Sequence, residues 1–291
     1  MVIFDQRPIM KTSKKSSTHQ TCPLAAWLVD QHATRLTFAP TPTAFAPTSA
    51  SEAVAVQNAF VKIKARQCGP TVGWKIALAT PTMQKLVGLD APIAGRLHRR
   101  QVVYAPARTA TKGYGRLLIE FEIAVQIGRN LPAGLARHTG SSVASAVSAL
   151  APAFELADDR RADYALLADQ GLQILADNAW NEGAVLGAWV PASKFYPNFE
   201  QSPQAEDALG SLMGEAFING ASVGHGYAHE LMGHPFNAVA WLANEANDRG
   251  TFLKAGDIAI LGSLVTSKFP TQGDALRFEL EGFAPIMLQV D

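Results

Sequence analysis

Net charge is missing from this chain: 25 Lys and Arg are matched by 25 Asp and Glu over 291 residues. Without an excess of either sign there is no electrostatic case for binding nucleic acid or an anionic membrane. Charges of any kind are few, at 17% against 48% apolar residues, so a sizeable core is within reach. Cysteine is nearly absent. Cys22 and Cys68 stand in different segments with no ligand-like spacing. Two inert thiols in a reducing, cytoplasmic setting are expected, with a single bridge as the alternative. No apolar run reaches the roughly 18 residues of a membrane span. Residues 1–20 contain Lys11, Lys14 and Lys15 but no apolar stretch after them. They do not read as a secretory signal and are expected to be a disordered leader. These absences leave a small molecule, or further copies of the chain, as the expected partners.

What is present divides by texture. Leu24, Trp27 and Leu28 predict a helix over residues 23–36, and the Pro-, Thr- and Ala-rich stretch 37–48 reads as a connector. Ser51 is expected to cap a second helix with Ala53, Val56, Phe60 and Ile63 on one face. After Gly69-Pro70, strands are predicted over 72–78, 101–104, 117–127, 153–156, 184–187, 215–218, 258–261 and 275–280. Asn219-Gly220 is a hairpin-turn signal. Helices are predicted over 81–86, 141–150 and about 237–247, the last with Val239, Leu242, Ala243 and Ala246 on one face. The pattern is α+β: a helical N-terminal segment over 21–70, forming one structural unit with a β-rich body over 71–291.

The chemistry centres on Ile119-Glu120-Phe121-Glu122-Ile123-Ala124-Val125-Gln126-Ile127. Its period of two predicts a half-buried strand with both glutamates on one face, roughly 6.5–7 Å apart. Carboxylates so spaced converge on a hard cation such as Mg²⁺ or Mn²⁺, which takes oxygen ligands at about 2.0–2.2 Å. A solvated face carrying two acids is the plainer reading. Glu155, in Pro152-Ala153-Phe154-Glu155-Leu156, offers a third carboxylate from another strand, unless it pairs with Arg160 or Arg161. Three carboxylates leave coordination positions open, as a catalytic cation requires. Lys75, in Gly73-Trp74-Lys75-Ile76, sits in an apolar stretch. It needs an acid or an anionic substrate there, or a strand edge from which to reach solvent. Asp177-Asn178 either builds a turn or hydrogen-bonds a ligand. Gly262-Ser263, after strand 258–261, reads as a turn, with N–H groups offered to an anion as the alternative.

Three other patterns are discounted. Gly220-Ala221-Ser222-Val223-Gly224 has the spacing of a nucleophile elbow but follows a hairpin turn and precedes no helix. His225, His229 and His234 lack the spacing of a zinc site. Gly113-Tyr114-Gly115 lacks the third glycine and the βαβ setting of a dinucleotide loop.

Several of these segments occur together, in order, in one family. Gly73-Trp74-Lys75-Ile76-Ala77-Leu78, Gly88-Leu89-Asp90-Ala91-Pro92, residues 119–125, residues 152–160 and Asp177-Asn178-Ala179 are followed by Gly233-His234-Pro235, Ala240-Trp241-Leu242-Ala243-Asn244, Gly256-Asp257 and Leu261-Gly262-Ser263. Over residues 50–290 the chain resembles the 2-keto-4-pentenoate hydratase and 4-oxalocrotonate decarboxylase family of the fumarylacetoacetate hydrolase superfamily. The resemblance implies a mixed β-sandwich roll with flanking helices, assembled into homo-oligomers. It implies Mg²⁺ or Mn²⁺ on Glu120, Glu122 and Glu155, and Lys75 at the substrate as a catalytic group. By the same resemblance Asp90 is a candidate catalytic acid, and Asp177, Asn178 and Ser263 are candidate substrate-binding residues. The implied substrate is a short 2-oxo acid, whose carboxylate and ketone oxygens chelate a cation that stabilises enolate charge. The family pattern breaks at Ile93, where hydratases often carry an acid, and at Trp180 and Asn181, where serines are common. The resemblance therefore implies a lyase of the hydratase type. A 4-oxalocrotonate-type decarboxylase, favoured by Ile93, is the first alternative. A hydrolase of acylpyruvate C–C bonds and a non-catalytic partner of a related lyase are the others.

Overall fold

The computed structural model describes residues 22–196 and 208–291, so the expected leader over 1–20 lies outside the described residues. Helix α1, Pro23–Thr34, starts on a proline whose missing N–H costs nothing at a first turn, and it ends where Arg35 turns left-handed. Helix α2, Ala50–Cys68, is capped by Ser49 rather than Ser51: the Ser49 hydroxyl accepts the Glu52 N–H. Its inward face buries Ala53, Gln57 and Phe60. Cys22 and Cys68 are free thiols.

The body holds two sheets among the described residues. The larger is built from β1 (Thr71–Ala77), β2 (Ile93–His98), β3 (Val102–Tyr104), β5 (Leu117–Ile127), β6 (Val147–Asp158), β7 (Asn181–Leu186), β8 (Val190–Pro191) and β11 (Ile258–Lys268). Its spatial order is β2-β1-β11-β5-β6-β7-β3, with β8 against β6. The smaller runs β10-β9-β12-β13-β4, from β4 (Ala107–Thr109), β9 (Met213–Ile218), β10 (Ala221–Tyr227), β12 (Ala275–Leu280) and β13 (Ile286–Val290). Parallel and antiparallel pairs occur in both sheets. The remaining helices are α3 (Pro81–Leu86), α4 (Gly140–Ala144), α5 (Gly171–Ala176) and α6 (Pro235–Asp248). None is long and apolar enough to cross a membrane.

Sequence and structure differ in four places that matter. The helix expected over 141–150 stops at Ala144, because Val147 and Ala149 pair with Ile127 and Gln126 of β5. Alanine-rich sequence favours helix only until a neighbouring strand offers better pairing. Strand β6 is correspondingly longer than its predicted 153–156. Strand β11 does not end at Leu261; Gly262-Ser263 lies inside it, so the predicted turn is absent. Strands β2, β4, β8, β10 and β13 carry no clear alternation and were not predicted. The Asn219-Gly220 turn does join β9 to β10, and the elbow-like Gly220–Gly224 spacing is hairpin.

One core lies between the sheets, where Phe121 and Phe154 meet Phe278 of the smaller sheet with ring centroids 5.7 and 6.4 Å apart. A second core lies on the opposite face of the larger sheet. There Leu24, Leu28 and Phe60 of the N-terminal helices pack with Ile174 and Leu175 of α5 and with Leu118 and Ala157 of the sheet. Strand β5 is thus covered on both faces, not half-buried as its alternation predicts. The glutamate face looks into a protein-walled space instead of bulk water.

Candidate metal and substrate site

Register alone brings the acids together. Glu120 of β5 lies directly opposite Glu155 of β6, and Glu122 follows two residues on, on the same face. One oxygen from each of the three lies within 4.8 Å of the others. Glu122 and Glu155 are fully buried. Lys75, on β1 two strands from β5, reaches the same cluster, its Nζ 2.9 Å from Glu155 Oε1. Its stem packs on Gly95 of β2, where an added Cβ would meet Lys75 Cγ at 2.9 Å. Glycine at 95 therefore lets the lysine lie flat against its neighbour.

Each carboxylate is held on one side. Gly262 N–H donates to Glu122 Oε2 at 2.8 Å, Asn181 Nδ2 to Glu155 Oε1 at 2.9 Å, and Ser267 Oγ to Glu120 Oε1 at 2.9 Å. Glu122 Oε1 and Glu155 Oε2 are buried with no hydrogen-bond partner among the described residues. An orphaned buried carboxylate oxygen is costly. Two of them beside a third acid fit a hard divalent cation, which prefers oxygen donors. Electrostatics agree. Burial, then Glu155 and Glu120, push the Glu122 carboxyl well above the usual carboxylate range. Burial and Glu120 push Glu155 up to about 7, against Lys75 and Asn181, which favour its charged form. Burial works against the Lys75 ammonium, but the three glutamates outweigh it and hold the amine protonated. The cluster retains protons toward neutrality, and a cation would displace them.

A cavity of about 500 Å³ opens where Lys75 and Glu120 of the cluster reach its wall. Lys75, Glu120, Ser263 and Ser267 line it, under a wall that includes Leu86, Leu167 and Trp180. Its shape and chemistry are those of a small-molecule site: apolar walls with a few converging polar groups. Residues 84–291 match the family described as fumarylacetoacetate (FAA) hydrolase C-terminal. The chain belongs to the FAA hydrolase family. Its relatives in that family are hydratases and decarboxylases. It is 29% identical over 241 residues to a 2-keto-4-pentenoate hydratase of Burkholderia vietnamiensis, covering 83% of this chain and 86% of that protein. It is 25% identical over 235 residues to a 4-oxalocrotonate decarboxylase of Pseudomonas sp, covering 81% and 84%. Among solved structures, 4-oxalocrotonate decarboxylase from Pseudomonas putida G7, complexed with magnesium and adipate, has the same fold. The TM-score is 0.81 at 21% identity, over 96% of this chain and all of that one.

Not every expected site residue reaches the cavity of this FAA hydrolase family member. Asp90 is exposed and lies outside the lining. Asp177 and Asn178 are buried and engaged elsewhere. Asp177 lies 2.6 Å from Arg160 Nη2 and 2.5 Å from His32 Nε2. Asn178 accepts the Arg96 N–H at 2.7 Å and donates to the Arg96 carbonyl at 3.0 Å. Both anchor a backbone strained at the cavity wall: Asn178, Ala179 and Trp180 all have left-handed φ, at 54°, 52° and 60°. Such residues cost roughly 1–3 kcal/mol each and persist only where surrounding contacts hold them. Trp180, which breaks the family's serine pattern, is the wall residue so presented. Glu155 pairs with Lys75, not with Arg160 or Arg161. The sequence reading missed three supports, Gly95, Asn181 and Ser267. Asn181 is visible in the sequence only as a departure from the family pattern, and Gly95 and Ser267 carry no signal of their own.

Proposed function

We propose that this protein is a divalent-metal-dependent lyase acting on a short 2-oxo acid, a hydratase of the 2-keto-4-pentenoate type. One observation carries the reading: three carboxylates within 4.8 Å, two of them buried with an unpartnered oxygen, in a cluster whose Glu120 and Lys75 line an apolar cavity. Glu120, Glu122 and Glu155 would hold Mg²⁺ or Mn²⁺, which supplies Lewis-acid polarisation of a carbonyl oxygen and charge neutralisation. Lys75, 2.9 Å from Glu155, would offer a positive charge and a hydrogen-bond donor to a substrate oxygen. The Ser267 hydroxyl and the Gly262 N–H keep Glu120 and Glu122 oriented. The apolar walls would limit the water around a bound head group.

A decarboxylase is the second reading. Ile93, at the start of β2, is buried, so no acid stands there for proton transfer in hydration. Assembly into cytoplasmic homo-oligomers, alone or with a related lyase, belongs to the same proposal; light scattering during gel filtration tests the assembly.

The test has two stages. Mg²⁺ or Mn²⁺ should raise the thermal midpoint of the wild type, and Glu120→Ala should lose that response. If neither ion shifts the wild type, the proposal fails. Given a response, spectrophotometry with 2-hydroxypenta-2,4-dienoate and 2-oxohex-3-enedioate separates hydration from CO₂ loss.

A further inference from the structure

The proposed site fixes the head of its substrate but leaves the tail open. The cavity wall decides it. Met83, Leu86, Val87, Leu167, Ile174 and Trp180 line the cavity that Glu120 and Lys75 enter. Among the described lining residues Lys75 is the only cation, and it faces three glutamates, with Glu155 at 2.9 Å. Three of the lining hydroxyls already donate elsewhere. Tyr164 donates to Asp159 at 3.2 Å, Ser263 to the Val265 carbonyl at 2.6 Å, and Ser267 to Glu120 at 2.9 Å. Thr80 accepts the Met83 N–H at 3.4 Å, and Thr266 is exposed.

One guanidinium comes near. Arg116 lies over the ring of Phe269, 4.5 Å from its centroid, and Phe269 lines the cavity. Its charge is already matched, because Nε donates to Asp159 Oδ1 at 2.8 Å and a second donor reaches the other oxygen. Three glutamates, Lys75 and a divalent cation sum to no net charge. The head carboxylate of a 2-oxo acid then makes the loaded site negative, and a second carboxylate would add to that with no unmatched cation to receive it among the described lining residues.

We infer that the tail beyond the 2-oxo acid head is uncharged and apolar, so that this site takes monocarboxylic 2-oxo acids with alkyl or aryl extensions and discriminates against dicarboxylic ones. This rests on the reading of the carboxylate cluster as a metal and 2-oxo acid site. A carboxylate moved from water into such a wall loses its hydration without a partner. Each methylene laid against the same wall tightens binding by roughly fourfold. The solved 4-oxalocrotonate decarboxylase was complexed with adipate, a dicarboxylate. The tail proposed here differs from that ligand in charge.

Calorimetry on the full chain with saturating Mg²⁺ tests the inference. Oxalate first reports on the head-group site. Pyruvate, 2-oxobutanoate, 2-oxopentanoate and 2-oxohexanoate then form a length series, and 2-oxohexanedioate adds one carboxylate at constant chain length. Affinity should climb about fourfold per methylene until the cavity is filled. The hexanedioate should bind at least about tenfold more weakly than the hexanoate. Met83→Arg adds a cation to the wall at a side chain that is 39% exposed, so folding should survive. It should narrow that ratio severalfold. Absence of oxalate binding overturns the head-group reading and the inference with it. Normal oxalate binding with the hexanedioate equal to or tighter than the hexanoate overturns the inference alone. A ratio that Met83→Arg leaves unchanged overturns the assignment of this wall to the tail.

Discussion

Replacing Lys75 with methionine keeps an unbranched stem against Gly95 and removes one positive charge from among three acids. Lys75 is 2% exposed and its Nζ is 2.9 Å from Glu155. Removing one partner of a buried pair costs about 3–5 kcal/mol, most of it from the charge left behind. Here that cost depends on pH. Glu155 titrates near 7 in the fold, raised by burial and by Glu120 from an ordinary 4.5. Glu122 is also raised well above its ordinary value, by burial and by Glu155 and Glu120. The native state thus holds protons that the unfolded chain releases. Stability from these acids is fully present below about 4.5 and is lost as pH rises toward 7 and beyond. Lys75 is one of the groups that favour the charged acids, so Lys75→Met deepens the loss at high pH. In EDTA at pH 8 the variant should melt on the order of 10 °C below wild type, taking about 2–4 °C per kcal/mol for a chain of this size. At pH 5, where both acids are protonated, the difference should be small. Mg²⁺ at pH 8 should recover part of it. Circular dichroism melts at the two pH values decide the matter. An equal deficit at both, or a larger one at pH 5, would refute the picture of a proton-retaining acid cluster balanced by Lys75.

Two further outcomes follow from single contacts. Asn181→Leu removes the donor that holds Glu155 Oε1, and should weaken Mn²⁺ binding roughly 10–100-fold by calorimetry, as loss of a ligand's supporting hydrogen bond does. His32→Asn removes the link from α1 to Asp177 and Glu182. Burial opposes the His32 charge, but the two acids outweigh it and raise its pKa above the usual 6.5. Its contribution is therefore fully present below 6.5 and lost as pH rises through the higher folded value. The variant should be destabilised by about 1–3 kcal/mol at pH 6. The gap should narrow at pH 9 in urea titrations.

The strand that carries Glu120 and Glu122 was legible to its ends, because period-two alternation over residues 117–127 is a strong local signal. Glu155 and Lys75 were legible as acid and cation within apolar runs, which are conspicuous because each needs a partner. Identifying the partner required the fold. Only β5–β6 register puts Glu155 across from Glu120, and only the β1–β11–β5 order carries Lys75 to them. Asp177 and Asn178 show the converse. Their residue types suit ligand binding and turn building equally, and in the fold their side chains contact distant Arg160, His32 and Arg96. Gly262 reads as a turn because glycine punctuates chains, whereas its N–H serves Glu122 from within a continuing strand. Nothing local distinguishes these cases, since the deciding contacts join residues far apart in sequence.

The second core, where the two N-terminal helices meet α5 and the cavity wall, also sets the medium in which the glutamates interact. Two unit charges 4.8 Å apart repel by about 0.9 kcal/mol at the dielectric constant of water, and by about 3.5 kcal/mol at an effective value of 20. By keeping water off the sheet, helices that contribute no ligand make the acids repel about four times as strongly. A divalent ion relieves that repulsion, so the helices act on metal affinity at a distance. Loosening Leu24, Leu28 or Phe60 would thus weaken cation binding through the local dielectric while every ligand stays in place.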